Sequence, residues 1–427
     1  MANSAELKRT IPGSPFQEKL QKIYLDKSVL AHESERYLSA VDKFVELYGD
    51  GDLSIYSAPG RTEVCGNHTD HQHGKVLAAS LNLDVIAVVK KTEDQRICIK
   101  SEGFPEDQVD ISVLEPVSEE EGTSASLIRG VVAWFKDRGY EIGGFDAYTT
   151  SQVLKGSGMS SSAAFEVLVG TILSGLYNDM KVDSVQIAIA SQYAENVFFG
   201  KPSGLMDQMA CSVGGMISID FKDPANPVIH QLDTDFSQFG YALCITDTKG
   251  SHADLTEDYA AIPQEMKQVA SYFGKEFLRD VDEAKFFSAI PKLRETCGDR
   301  PVLRAMHFFA EEQRVDSQVR SLESGDFDSF LKGEQSSGNS SFKYLQNVTS
   351  PKREREQNIP VALSVSDLVL QDRGASRVHG GGFAGTIQAF VPHDLVTAYQ
   401  EALDSVFGEG SCHVLQIRKY GGMKVTE

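Results

Sequence analysis

The segment Lys155-Gly156-Ser157-Gly158-Met159-Ser160-Ser161-Ser162-Ala163-Ala164 constrains this chain more than any other stretch. Glycines let a backbone approach a ligand closely and serines favour helix N-termini, so the run reads as a turn opening a helix that extends to about Leu176. The unpaired N–H groups of such a terminus, with the helix dipole, make an anion site suited to phosphates. It is not the usual P-loop, because no Lys-Ser/Thr pair follows the second glycine at the required place. Taken alone, the run fits a flexible turn into a well-capped helix as well as it fits a phosphate cradle.

Two further segments are too polar and too irregular to be explained by packing. Gly60 to Gly74 (GRTEVCGNHTDHQHG) sets His68, Asp70, His71 and His73 within six residues. That density suits a metal site, since neutral imidazole is the commonest metal ligand. It equally suits a hydrogen-bonding wall for a polyhydroxylated substrate, built from Arg61, His68 and Asp70. Farther along, Ser203-Gly204-Leu205-Met206-Asp207-Gln208 places an acid after a turn, and Glu195 lies twelve residues upstream near the end of its helix. A carboxylate there opposes the helix dipole unless a cation such as Mg²⁺ compensates. A second glycine-rich loop, Gly374 to Gly385 (GASRVHGGGFAG), is weak by itself.

Around these segments the text alternates between helix and strand. Apolar residues at helical spacing from Lys8 to Tyr48 predict two amphipathic helices. Strand-like runs follow at Leu53 to Tyr56, Val85 to Lys90 and Arg96 to Lys100, with Ser57 to Gly74 read as a turn-rich insert. Asp183 is the expected N-cap of a helix ending near Gly200. Strands are expected at Met216 to Phe221, Val228 to Leu232, Tyr241 to Asp247, Thr386 to Val391 and His413 to Arg418. Ser336 to Ser341 reads as a solvent loop. The mixture lacks strict βαβ alternation, which favours α+β. The expected organisation is a helical extension over residues 1–50, one domain over 51–215 and a second over 216–427, with the boundary near Gly215.

Composition limits the partners. The chain of 427 residues has 41 Lys and Arg against 61 Asp and Glu, a net charge of −20. Such a surface repels phosphate backbones and anionic lipid, which argues against nucleic-acid or peripheral membrane binding. No apolar run reaches the ~18 residues of a membrane span. Met1 to Phe16 is polar and does not resemble a secretory signal, and the 6 scattered cysteines without a CxxC suit a reducing compartment. A cytoplasmic protein is expected.

Together, Arg61 to Gly74, Gly156 to Ala164 and Gly374 to Gly385 resemble, in order and spacing, the three signature motifs of the GHMP small-molecule kinases, most closely the galactokinases. The resemblance runs from about Asp52 to the C-terminus. It implies an N-terminal domain of the ribosomal S5 domain 2-like type and a ferredoxin-like C-terminal domain with the active site between them. The implied reaction is ATP-dependent phosphorylation of the C1 hydroxyl of galactose. By position, Asp207 would be the catalytic acid group with Arg61 beside it. Gly156, Ser157, Gly158, Ser160, Ser161 and Ser162 would hold ATP phosphates, and Ser162 (or Ser161) with Glu195 would hold Mg²⁺. Asn67, His68, Asp70 and Tyr259 would contact the sugar.

Three positions depart from the family pattern. Asn67 stands where galactokinases usually carry the glutamate that meets the C6 hydroxyl, His71 replaces a tyrosine, and Leu154 replaces a proline. A neutral Asn67 could donate to a C6 carboxylate, and Asp70-His71-Gln72 resembles plant galacturonokinases, so galacturonate is the alternative substrate. A metallohydrolase built on His68, Asp70, His71 and His73 and a sugar-sensing regulator without catalysis are the readings from other classes.

Overall fold

The computed structural model describes residues 2–153, 158–234, 236–251 and 255–426. Among the described residues, twelve strands form two sheets: β1 (Leu53–Cys65), β2 (Lys75–Lys91), β3 (Arg96–Ser101), β4 (Glu106–Asp110), β5 (Phe145–Ser151), β6 (Met216–Asp220), β7 (Val228–Leu232), β8 (Tyr241–Asp247), β9 (Ala375–Val378), β10 (Thr386–Pro392), β11 (Cys412–Leu415) and β12 (Met423–Lys424). The first sheet runs β12-β1-β2-β5-β3-β4, with β6 and β7 added along the other half of β2; the second runs β11-β8-β10-β9. Among the described residues only the β3–β5 pairing is parallel, consistent with an α+β protein.

Strand β2 shows how the sequence fixes this arrangement. Val85, Ala87 and Val89 enter the core shared with the Ser124–Asp137 and Ser161–Tyr177 helices, while Ile86 and Val88 point to the other face. Successive side chains of a strand face opposite ways, so an uninterrupted apolar run must be covered on both sides. The second cover is the N-terminal segment: Leu7, Phe16, Leu20, Tyr37, Val41 and Phe44 pack on Leu53, Ile55, Ile86 and Val88. These first residues therefore cover one face of the first sheet.

Several expectations change. The N-terminal segment holds three helices, Ser4–Thr10, Ser14–Tyr24 and Leu30–Tyr48, because Pro15 in the first turn starts a new one. Strand β1 continues to Cys65 through the first part of the segment read as a turn-rich insert, and every residue of it is buried. Gly215 does not mark a change of sheet, since β6 and β7 extend the first sheet and the second begins with β8. Ser336 to Ser341 is no solvent loop: it ends the Phe327–Ser340 helix and enters a π-helical turn, with Ser337, Gly338, Ser340 and Ser341 buried. The Asp183 cap is as expected, its carboxylate accepting the Gln186 N–H at 2.9 Å. Among the described residues, no helix is long and apolar enough to cross a membrane.

Candidate active site

The three sequence segments meet where β1 crosses under the turn between β9 and β10. Arg61, 5% exposed on β1, donates from Nε to Asp207 Oδ1 at 2.7 Å and from Nη2 to Oδ2 at 2.9 Å. Its remaining nitrogen, Nη1, donates to the Gly158 carbonyl. Asp207 enters from the first turn of the Met206–Val213 helix, where the dipole favours a carboxylate. Burial alone would raise its pKa, but the Arg61 charge and the hydrogen bonds from Arg61 and Ser160 hold it below the ordinary value.

Ser160 explains how the loop feeds this centre. It has left-handed backbone (φ 57°) and occupies the N-cap of the Ser161–Tyr177 helix, yet its hydroxyl donates to Asp207 Oδ2 rather than capping the helix. The first-turn N–H groups are thus left without a side-chain cap, which suits an incoming anion. Gly158 takes φ +71°, and a Cβ there would overlap the Thr386 hydroxyl of β10, so the loop is pressed between the two sheets. Gly156 and Ser157 lie outside the described residues.

Beyond β1 the chain turns through Gly66 to Gly74. Asp70 accepts the His71 N–H at 2.9 Å, and its other oxygen packs so closely on Gly204 that a Cβ at Gly204 would overlap it. Burial, the Asp207 charge and Glu63 push the Asp70 carboxyl up to about 7. His68 donates from Nε2 to the Gly381 carbonyl at 2.9 Å, and its Nδ1 lies 3.3 Å from His71 Nε2. Burial lowers its pKa to about 4, so it is neutral. Tyr259 donates to the Gly382 carbonyl at 2.8 Å and meets Phe383 edge to face.

Asn67 is different. It is fully buried, its amide donates to Glu63 (2.9 Å) and to the Gly380 carbonyl (2.8 Å), and its carbonyl accepts from Asn347 at 2.8 Å. Both amide hydrogens are committed to the protein, so the side chain has no donor left for a sugar. The imidazole cluster does not assemble a metal centre either. His68 and His71 face each other, whereas His73 stacks on Phe277 at 3.7 Å. Among the described residues no group of three His, Cys, Asp or Glu is arranged to hold a metal ion.

Glu195 sits in a π-helical turn, Ala194–Phe199, and is 3% exposed. Its Oε1 accepts from Lys201 Nζ at 2.8 Å and from Ser162 Oγ at 3.4 Å; its Oε2 accepts from Gln208 Nε2 at 2.8 Å. Sequence reasoning passed over Lys201 and Gln208, although Gln208 adjoins Asp207 and Lys201 is a cation six residues beyond Glu195. It also missed the role of the second glycine loop. The carbonyls of Gly380 and Gly381 accept from Asn67 and His68, which ties that loop to the turn after β1, and that of Gly382 accepts from Tyr259 on the Thr256–Tyr272 helix.

Comparison with known proteins identifies the family to which the chain is similar. The galactokinase galactose-binding signature matches residues 42–91, and the GHMP kinases N terminal domain matches 126–215. A galactokinase of Streptomyces coelicolor is 29% identical over 371 residues, covering 86% of this chain and 92% of its own length. A crystal structure of Lactococcus lactis galactokinase complexed with galactose superposes with a TM-score of 0.76 at 25% identity, over 91% of this chain and 99% of that one. A mevalonate kinase shares the fold alone, at 14% identity and a TM-score of 0.59 over 85% of this chain and 98% of its own. A galactokinase of Actinobacillus pleuropneumoniae is 30% identical over 368 residues, 84% of this chain and 90% of its own, and with the two family matches this shows that the chain belongs to the galactokinase family of the GHMP kinases.

Proposed function

We propose that the chain is a cytoplasmic kinase that transfers the γ-phosphoryl group of ATP to the C1 hydroxyl of galactose, giving galactose 1-phosphate. The observation that carries the reading is the Asp207 carboxylate, held by Arg61 and Ser160 at the mouth of the uncapped Ser161–Tyr177 helix. In this reading the nucleotide phosphates lie on the N–H groups of Ser160, Ser161 and Ser162 and on the Gly156–Gly158 loop. The sugar lies against Asp70, His68 and Tyr259. Asp207, ionised and a weak base, orients the C1 hydroxyl toward the phosphoryl group and accepts its proton late in the transfer. Such a reaction passes through a loose transition state, so positioning and charge neutralisation supply most of the rate.

Ser162 and Glu195 fit a magnesium ion, because both present hard oxygen atoms to one point beside the loop. When bound, magnesium neutralises charge on the β- and γ-phosphates. Galacturonate is the weaker alternative, since the Asn67 amide that motivated it is engaged by Glu63 and Gly380.

An assay of ADP release over a panel of sugars tests the proposal. Galactose should give the highest kcat/KM, and galacturonate, N-acetylhexosamines and glucose should fall well below it. A panel in which galactose is not turned over would overturn the reading.

A further inference from the structure

Glu195 presents two oxygens in unequal settings. Oε2 faces inward to Gln208, whose Nε2 also reaches Glu166 Oε2 at 3.3 Å, so that oxygen is fixed from behind. Oε1 faces Ser162 and is the atom through which this carboxylate can meet a cation in the cleft. Lys201 holds that same atom at 2.8 Å. The two partners differ in freedom: the Glu195 side chain is 4% exposed, whereas that of Lys201 is 59% exposed. Lys201 also follows Gly200, whose φ of +82° ends the π-helical turn, so its segment leaves the helix at once.

A buried carboxylate without a counter-ion is strongly disfavoured, and three acidic groups, Glu195, Glu166 and Asp207, bear on this ammonium. A lysine suits a temporary partner better than an arginine would. Its ammonium is a point charge on a flexible stem and does not lock a carboxylate in a two-pronged pair.

We propose that Lys201 is a tethered placeholder cation, whose ammonium neutralises the Glu195 oxygen facing Ser162 and must leave it before a divalent cation accompanying the nucleotide can bind there. The inference rests on the reading of Ser162 and Glu195 as the metal-holding pair. It makes the resting site electrically balanced and sets a competition between an internal and an external cation for one oxygen atom.

Titration of the nucleotide-free full-length protein with Mn²⁺, followed by the loss of the free-ion electron paramagnetic resonance signal, tests it without turnover. Lys201→Met and Lys201→Gln should each bind Mn²⁺ roughly five- to tenfold more tightly than the parent, the size of an ordinary site-to-site coupling. Adding Glu195→Gln should abolish that gain. Unchanged or weaker Mn²⁺ binding in both lysine variants, with Glu195→Gln still weakening it, would overturn the placeholder role and leave the metal reading standing. Equal Mn²⁺ binding by the parent and Glu195→Gln would overturn the metal reading, and the inference with it.

Discussion

Asp207 and Asp70 lie in one cleft and titrate in opposite directions. Arg61 and Ser160 hold Asp207 below the ordinary carboxylate value despite burial, whereas burial and the Asp207 charge carry Asp70 to about 7. Paired groups pushed apart in this way take different roles. Asp207→Asn keeps the shape but removes the charge, so kcat should fall by roughly 10²–10⁴ with ATP affinity nearly unchanged, as steady-state kinetics and nucleotide titration would report. Asp70 should bind sugar hydroxyls best when ionised, so the KM for the sugar should fall as pH rises through about 7, and this dependence should vanish in Asp70→Asn. Stability moves the other way. A folded-state pKa raised above 3.8 means that folding loses stability as pH climbs from there to about 7, so Asp70→Asn should melt higher than the parent above that range and alike below it. At Asn67 the sequence showed an unusual residue but not its surroundings. Asn67→Ala removes the hydrogen bonds its amide makes to Glu63 and to the Gly380 carbonyl and those it accepts from Ser341 and Asn347, at a cost of about 1–3 kcal/mol that a denaturant melt would register.

Elements whose signals are local were legible. A cap such as Asp183 satisfies N–H groups within three residues, so its meaning does not depend on the rest of the chain. The Ser336 to Ser341 stretch was misread because small polar residues serve a loop or a tightly packed helix face equally well. Here β9 decides: a Cβ at Gly338 would lie 2.9 Å from the Arg377 Cβ, and Ser337 donates to the buried Glu311 carboxylate at 3.0 Å. Gly204 shows the same dependence at the site. Nothing in its sequence context names Asp70 as its neighbour, yet the segment before the Met206–Val213 helix passes directly over that carboxylate. Gly204→Ala should therefore displace Asp70 and raise the KM for the sugar roughly tenfold or more, with the KM for ATP little changed.

Across the whole molecule, buried charge joins regions far apart in the chain. Asp84 on β2 accepts from Arg36 of the N-terminal helices, from Arg418 of the C-terminal segment at 3.1 Å and from Tyr24 at 2.9 Å. Removing one cation leaves a fully buried carboxylate short of its partner, so Arg36→Ala should cost about 3–5 kcal/mol by equilibrium unfolding. The two arginines overcome burial to hold the Asp84 carboxyl below 3.8. Their stabilisation is therefore present above that pH and lost as pH falls through the lowered value, and the penalty of Arg36→Ala should shrink in acid. A second such set, Glu63 with Arg377 at 2.7 Å and His379 between Thr62 and Thr386, fastens β1 to β9 and β10 and so frames the cleft. The sequence by itself determined the mixed α+β class, most strand positions, the loop that opens the Ser161–Tyr177 helix and the residues gathered at the cleft, because periodicity, capping and motif spacing are written over short distances. Only the tertiary structure decided that Asn67 is a strut, that Lys201 sits on Glu195, that residues 1–50 cover a sheet and that β6 and β7 extend the first sheet. Those outcomes depend on which groups are brought together from opposite ends of the chain, where burial and charge pairing set the energy and no local pattern records the partner.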